Sequence, residues 1–292
     1  MQIFLNGLIV GSAYALMGIG FSLIYSTVRY FDLAYGIVAV IAAYVVFSLM
    51  NVFGMSYFVA LPLGTLVGVL LGLANYLGLY RVMVKRKSSP LVIMVASFGM
   101  LTIYQNVAAI LWGNATKAIS LSDQILKGYE FLGLIITPTQ LTIMGVALLL
   151  VVLLEIFLQK TKYGMAIRAI GDNQDLTKVL GLRVEKIIVL VYIIGTLLSS
   201  VSASLIALEI GIRPMHGVFL VIKAFIAAII GGLGSIRGAL LGGFILGVAE
   251  NVGIYLIGGQ WQDTVAFSLL LIFLLFRPEG LFAKRQLLKL NA

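Results

Sequence analysis

The chain has 292 residues, of which 61% are hydrophobic and only 11% are charged, and its mean hydropathy is +1.12. An average soluble domain carries roughly 25% charged residues, so these few charges cannot cover a water-soluble globule of this length. The composition therefore indicates a polytopic membrane protein. Because the chain has no cysteine and only one histidine, His216, the sequence excludes disulfides, iron–sulfur clusters and multi-histidine metal sites, and we predict no metal and no cofactor.

Apolar stretches of membrane-spanning length recur along the whole chain. A transmembrane helix needs about 20 mostly apolar residues. The stretches that approach this length are 1–28, 33–80 (long enough for two helices), 91–112, 141–158, 187–208, 218–232, 239–256 and 257–276. We therefore predict an all-α fold: a polytopic integral membrane helical bundle of about eight or nine transmembrane segments, folded as one domain over residues 1–292.

The basic residues set the predicted orientation. With the N-terminus outside, only Lys117, Lys127 and Arg213 fall in outer loops and Lys223 lies within a span, while the other Lys and Arg residues are cytoplasmic. Cytoplasmic loops of membrane proteins collect Lys and Arg. We therefore predict an outer N-terminus, a cytoplasmic C-terminus, a long outer loop over 113–140 and a hydrophilic cytoplasmic loop over 159–186.

The cytoplasmic loop has the pattern of two short helices. The first is predicted over 163–170 and is interrupted by Gly171; Asp172 then caps a second helix, with Asp175 at the spacing of a capping box. Leu176, Val179 and Leu180 form one apolar face of the second helix, and Gly181 suits the position after its end. Two interpretations remain open: a solvated loop whose charges only set topology, or a folded docking element for a soluble partner.

Lys223 and Glu250 lie well inside predicted spans, whereas Glu155 and Asp263 lie near the ends of theirs. At the centre of a span an ionisable side chain costs at least about 2.5 kcal/mol. At about 1.5 Å of rise per residue, Lys223 and Glu250 reach a similar depth, so they meet if their two helices are neighbours. They could form an embedded pair on the transport pathway, or each could extend separately to the outer interface.

A glycine-rich break containing Gly231, Gly232 and Gly234 separates these two helices. Interrupted helices often mark a translocation path, but close helix packing through small residues is the other interpretation. On the outer side, Glu209, Arg213 and His216 are either a docking surface for an extracytoplasmic protein or ordinary interfacial charge. The sequence contains no acid–base pair around His216 and no folded basic patch, so neither catalysis nor nucleic-acid binding is supported.

Several motifs occur in order along nearly the whole chain. They are Leu5–Leu8, Gly11–Leu16, Gly164–Ala169 with Gly181–Leu182, Gly231–Ser235 with Gly238, and Arg277–Phe282. Together they resemble permeases of the branched-chain amino acid ABC importer family, of the LivH type. Two positions near the inner mouth, Asp32 and Tyr35, depart from the usual family pattern, as does Ala283 near the C-terminus.

The resemblance implies the permease domain of an ATP-driven importer in the cell (inner) membrane. Its implied partners are a second related permease in a heterodimer, two cytoplasmic ABC ATPases, an extracytoplasmic substrate-binding protein and the lipid bilayer. The implied solutes are branched-chain or other small neutral amino acids. The resemblance also implies that the cytoplasmic loop is the ATPase-coupling element, with its contact residues at Tyr163, Gly164, Met165, Arg168, Ala169, Gly171, Asp172 and Gly181.

The sequence itself agrees on one point: it contains no phosphate-binding G-x-x-x-x-G-K-[ST] loop, so ATP hydrolysis would occur on another chain and this chain is not an enzyme. Two alternatives stay open. One is a permease of the same class for urea, amides or another small solute. The other is an ion-coupled secondary carrier, for which Glu250 is the candidate ion-binding carboxylate.

Overall fold

A computed structural model describes residues 1–119, 129–131, 134–179 and 181–282. Lys127, Leu180 and the basic residues after 282 lie outside these ranges. The described chain is a bundle of α-helices with one small β-hairpin, formed by strands β1 and β2 in the predicted outer loop. The elements are α1 (Gln2–Val28), α2 (Ala34–Asn51), α3 (Tyr57–Asn75), a π-helical turn (Tyr76–Tyr80), α4 (Arg81–Lys85), α5 (Pro90–Trp112), β1 (Tyr129–Phe131), β2 (Leu134–Ile136), α6 (Pro138–Lys160), α7 (Lys162–Asp172), α8 (Gln174–Val179), α9 (Val184–Ile210), α10 (His216–Gly231), α11 (Ile236–Ile257), a 3₁₀ turn (Gly259–Trp261) and α12 (Gln262–Phe276).

Within the described ranges, eight helical stretches are long and apolar enough to cross a membrane, which confirms the predicted class of fold. They are α1, α2, α3 continued through α4, α5, α6, α9, α11 and the 3₁₀ turn continued by α12. The predicted span over 218–232 is the exception, because α10 has only 16 residues. At 1.5 Å per residue it is about 24 Å long, shorter than the roughly 30 Å hydrocarbon core of a bilayer.

Local sequence signals explain where several helices begin. Thr137 and Gln140 form a reciprocal capping box at the start of α6, with Pro138 in its first turn. Ser235 caps α11 by accepting a hydrogen bond from Gly238 N at 3.1 Å. Ser89 caps α5 in the same way, followed by Pro90. Polar or Pro-containing turns therefore interrupt the apolar runs at defined residues.

The core of the bundle is formed by α1, which packs against α9, α10 and α11. Small residues allow α1 and α11 to approach at backbone distance: a Cβ atom added to Gly247 would lie 2.4 Å from Gly11 Cα, and one added to Gly243 would lie 2.4 Å from Ala15 Cα. In a membrane, where the hydrophobic effect does not drive helices together, such close packing is a main source of helix association. Helices α5, α6 and α12 lie further out and expose one apolar side.

The polar contacts divide the bundle into two ends, and the loops predicted to be cytoplasmic collect at the same end. There Arg29 donates to the carbonyl of Gly171, Arg81 pairs with Glu185, and Arg237 Nε lies 2.9 Å from Glu155 Oε1. At the opposite end Gln2 Nε2 donates to Ile135 O, Trp112 Nε1 donates to Ser48 Oγ, and Lys117 pairs with Ile212 through backbone hydrogen bonds. Which end faces the cytoplasm stays a prediction from the charge distribution.

Candidate transport and coupling sites

Lys223 and Glu250 are in direct contact inside the bundle. Lys223 Nζ lies 3.0 Å from Glu250 Oε2 and 3.0 Å from the hydroxyl oxygen of Tyr14, and it also sits 5.0 Å above the centre of the Tyr14 ring. The Glu250 side chain is fully buried and that of Lys223 is 9% exposed. The two charges are therefore paired rather than extended separately to the interface, and each offsets part of the cost of burying the other.

Two residues of the last helix complete this cluster, and sequence reasoning did not assign them to it. Gln262 Nε2 donates to Glu250 Oε2 at 2.7 Å, and Asp263 Oδ1 lies 3.7 Å from Lys223 Nζ. The cluster therefore ties together α1, α10, α11 and α12. Sequence reasoning also missed Tyr14 as a member of the cluster. The sequence pattern does not show whether a tyrosine in an apolar helix binds a buried charge or only packs in the core. The role of the cluster in transport stays a prediction.

The glycine break between α10 and α11 is a close backbone contact. A Cβ atom on Gly231 would lie 2.0 Å from the carbonyl carbon of Gly238, and Gly232 and Gly234 adopt positive φ angles of 97° and 89°. Gly234 N donates to Ser22 Oγ of α1 at 2.8 Å. These contacts favour the interpretation of the glycines as packing residues.

A segment near the C-terminus covers the same break. Leu281 N donates to Ile230 O at 2.9 Å and Phe282 N donates to Gly231 O at 3.0 Å, so that two last-turn carbonyls of α10 gain partners. Gly280, with φ of 80°, lies so close to Gly232 that a Cβ atom would be 2.4 Å from Gly232 N. We call residues 277–282 the C-terminal clasp.

The loop over 159–186 is folded as two helices, α7 and α8, which together we call the knob. Gly171 lies inside α7 rather than interrupting it, because α7 continues to Asp172. The predicted cap at Asp172 is wrong: Asn173 caps α8, and its Oδ1 accepts hydrogen bonds from Asp175 N and Leu176 N, both at 3.0 Å. Asn173 is an equally good capping residue one position later, and pattern alone did not separate the two. Gly181 has the left-handed φ of 78° expected after a helix end.

The knob is anchored on one side and exposed on the other. Ile167 and Ile170 are buried, and Gly164 packs so tightly that a Cβ atom would lie 2.3 Å from Leu158 O at the end of α6. The remaining face is exposed and partly apolar: Tyr163 is 60% exposed, Met165 54% and Leu176 58%. Of the predicted contact residues, Arg168 and Asp172 are exposed with this face and Ala169 is half-buried.

Arg29 links the knob to the first two helices. Its side chain donates to Gly171 O, and its backbone is left-handed, with φ 60° and ψ 23°, at the end of α1. Gly171 also approaches Ser26 of α1. A movement of α7 would therefore be transmitted directly to the turn between α1 and α2.

The three charged residues predicted on the outer side do not form one cluster. Arg213 Nε donates to His216 Nε2 at 3.0 Å, whereas Glu209 Oε1 accepts from Gln140 Nε2 of α6 at 3.3 Å. Glu209 and Arg213 are exposed and His216 is half-buried at the start of α10. The structure therefore brings Arg213 and His216 together, whereas Glu209 contacts a residue of α6 instead.

A buried carboxylate at the opposite end was not predicted as a site. Asp32 is 5% exposed and accepts a hydrogen bond from the hydroxyl of Tyr80 at 2.8 Å. Nearby, the hydroxyls of Tyr30 and Tyr192 lie 3.0 Å apart. The sequence singled out Asp32 only as a departure from a family pattern, because its partner Tyr80 is 48 residues away along the chain.

These features define the class of protein: a helical, multi-pass membrane subunit with charges embedded in its bundle and a folded knob at one end. The chain is structurally similar to a chain in the structure of PsaBC from Streptococcus pneumoniae in complex with Fab, with a TM-score of 0.53 and 16% sequence identity, over 95% of this chain and 91% of that chain. At this identity the similarity shows the fold alone.

Sequence comparison identifies the family. A family model described as the permease component of branched-chain amino acid transport systems matches residues 3–275, and the chain belongs to that family. It is 34% identical to the high-affinity branched-chain amino acid transport system permease protein BraD of Pseudomonas aeruginosa, and 30% identical to the corresponding protein LivH of Escherichia coli. Each match covers 99% of this chain and 97% of the relative. The chain is thus an ABC transport permease and a multi-pass protein of the inner membrane.

Proposed function

We propose that this chain imports branched-chain or other small neutral amino acids as one permease of an ATP-driven transporter. The proposed assembly contains a second, related permease, two cytoplasmic ATPases and an extracytoplasmic binding protein that delivers the solute. The near full-length similarity to BraD and LivH, whose names state branched-chain amino acid transport, supports the solute class.

The observation that carries this proposal is that the knob is folded, with one side packed on the bundle and the other side exposed. Its buried side packs against α1, α6 and α9, while its exposed side carries apolar residues next to Arg168. A rigid short helix with an apolar face is suited to docking in a groove of a partner protein. Since the chain has no phosphate-binding loop, we assign ATP hydrolysis to the cytoplasmic ATPase. In this proposal the ATPase docks on the knob and its movement during hydrolysis is passed to the knob.

The test is co-purification of the ATPase with an Arg168→Glu variant. We expect the charge reversal to reduce the amount of bound ATPase and to abolish ATP-dependent leucine uptake. Arg86→Glu is the matched control, because Arg86 is also exposed at the same end of the bundle but lies outside the knob. Leucine uptake by this chain alone, without ATPase, would contradict the proposal and favour an ion-coupled carrier.

A second proposal concerns the outer side. Arg213 and Glu209 are exposed at the end opposite the knob, where a binding protein would dock over the transport path. We expect Arg213→Glu to weaken stimulation of ATP hydrolysis by the loaded binding protein, with basal hydrolysis unchanged. Equal stimulation in the variant and the parent would leave these residues as ordinary interfacial charge.

The solute itself separates this proposal from a permease of the same class for urea or amides. Equilibrium binding to the partner binding protein is the direct measurement. Preference for leucine, isoleucine and valine over urea and acetamide is expected, and the reverse preference would contradict the solute class while leaving the coupling mechanism intact.

A further inference from the structure

An apolar cavity of about 280 Å³ lies between α1, α10, α5 and the turn that joins α1 to α2. Small-molecule sites occupy roughly 300–1,000 Å³. At about 280 Å³ this cavity lies just below that range, which suits one apolar group of a small solute and not a drug-sized ligand. The side chains that line it are all apolar, namely three phenylalanines and four aliphatic or thioether residues: Phe21, Phe31, Phe225, Leu33, Met94, Val221 and Ile222.

One wall of this cavity is the non-helical turn between α1 and α2. Phe31 lies in the turn between α1 and α2, yet its ring centre is 6.3 Å from that of Phe21 and 5.2 Å from that of Phe225. Phe21 precedes the end of α1 at Val28 by about two helical turns, or roughly 10 Å, and Phe225 lies near the middle of α10. The turn therefore folds back toward the bundle interior.

The backbone of this turn is held by α5 rather than by lipid. Leu33 N donates to the buried Ser97 Oγ at 3.0 Å, and the same hydroxyl lies 3.3 Å from Phe31 O. Non-helical backbone at membrane depth is stable only where it is buried in protein or lines a water-filled space, because hydrocarbon offers no hydrogen-bond partners. The backbone of the turn thus packs against protein, as expected for a cavity that faces the inside of the transporter.

The cavity lies beside α10, the helix that is shorter than a membrane span. Helix α10 supplies Val221, Ile222 and Phe225. Met215, the residue just before α10, contacts α5, because its Sδ lies 3.4 Å from Gln105 Nε2. Shortened or interrupted helices of transporters typically stand next to the solute path. The cavity thus lies along the cleft between α5 and α10, inward of this contact.

We propose that this cavity is part of the solute pathway and accommodates the aliphatic side chain of the amino acid during transport. The inference rests on the proposed function and deepens it. The apolar lining suits an aliphatic group and offers no partner to the ammonium and carboxylate groups of the solute, which stay in the water of the pathway. A site without hydrogen bonds to the solute also releases it readily.

The absence of cysteine from the chain gives a clean test, since single cysteines can be introduced without removing any. Met94→Cys and Ile222→Cys are each placed in the complete transporter in membranes and treated with a charged, membrane-impermeant methanethiosulfonate. We expect both to react, leucine uptake to fall at least tenfold after reaction, and leucine, binding protein and ATP together to slow the reaction at least threefold. Leu149→Cys, on the exposed apolar side of α6, is the control and is expected not to react with the charged reagent.

Reaction of both cavity cysteines only with a membrane-soluble maleimide would overturn the proposal, since the cavity would then be filled by lipid or protein. The side-chain assignment is tested by Ile222→Trp, which fills the cavity. Leucine uptake is expected to fall at least tenfold more than alanine uptake, and equal losses would overturn the assignment. Failure of the unmodified transporter to take up leucine would instead contradict the proposed function, while the accessibility of the cavity would still be read from the labelling.

Discussion

At the level of single residues, the pairing of Lys223 with Glu250 explains how two charges persist inside an apolar bundle. Each would be costly alone, and together they share hydrogen bonds with Tyr14 and Gln262. Removing one partner of a buried pair costs about 3–5 kcal/mol, because the other charge is left without compensation. Replacing both with apolar residues is often close to neutral.

This contrast gives the first prediction. Lys223→Met and Glu250→Leu are each expected to lower the thermal stability of the purified permease strongly, whereas the double variant recovers most of the loss. Melting temperatures of the three variants in detergent check this expectation. Strictly additive losses would show that the two charges do not stabilise each other.

The double variant of Lys223 and Glu250 also distinguishes an effect on transport from an effect on stability. If the pair acts on the pathway, the double variant is expected to fold and bind ATPase but to import leucine at least tenfold more slowly. Radiolabelled uptake into proteoliposomes, normalised to the amount of folded transporter, measures this. Full uptake by the stable double variant would assign the pair to structure alone.

At the level of helices, the contact between α1 and α11 depends on residues without side chains. A methyl group on Gly247 would meet both Gly11 Cα and Gly7 O at 2.4 Å, so Gly247→Ala must push the two helices apart. Overpacking of this kind costs about 1–3 kcal/mol. We expect a clear fall in melting temperature. Gly145→Ala on α6, where no atom of the described part of the chain lies within 4 Å of the added methyl group, is expected not to lower it.

The link between the knob and α1 leads to a prediction about coupling. Arg29→Gly removes the hydrogen bond to Gly171 but keeps the left-handed backbone that Arg29 adopts, which glycine populates without strain. We expect this variant to fold and to retain the ATPase, yet to import several-fold fewer leucine molecules per ATP hydrolysed. An unchanged ratio of uptake to hydrolysis would remove Arg29 from the coupling route.

The lengths of the apolar runs predicted the spans well except over 218–232, because long apolar runs bounded by polar turns leave few other folds. The same reasoning placed Lys223 and Glu250 at one depth, since helical rise converts sequence distance into length. It could not place Asp32 and Tyr30 beside Tyr80 and Tyr192, because those contacts join segments far apart in sequence. It also assigned the cap of α8 to Asp172 instead of Asn173, since both residue types satisfy the same pattern.

For the whole molecule, the distribution of charges implies one orientation in the membrane, and this can be measured directly. Asn51→Cys lies at the end of the bundle predicted to be outside, and Lys162→Cys lies in the knob; both positions are exposed. A membrane-impermeant maleimide applied to intact spheroplasts is expected to label the first and not the second, with both labelled after permeabilisation. Labelling of Lys162→Cys in sealed spheroplasts would reverse the orientation and contradict the coupling proposal.

The C-terminal clasp has a consequence for how the protein is made. The last carbonyls of α10 receive their hydrogen bonds from Leu281 and Phe282, which leave the ribosome only after α11 and α12. Until then the last carbonyls of α10 lack these hydrogen bonds. In a nascent chain the turn between α10 and α11 therefore stays uncovered while α11 and α12 are inserted into the membrane. A nonsense codon just before Gly280 would therefore yield a product with every span in place but this turn uncovered, the kind of defect that membrane quality-control proteases recognise.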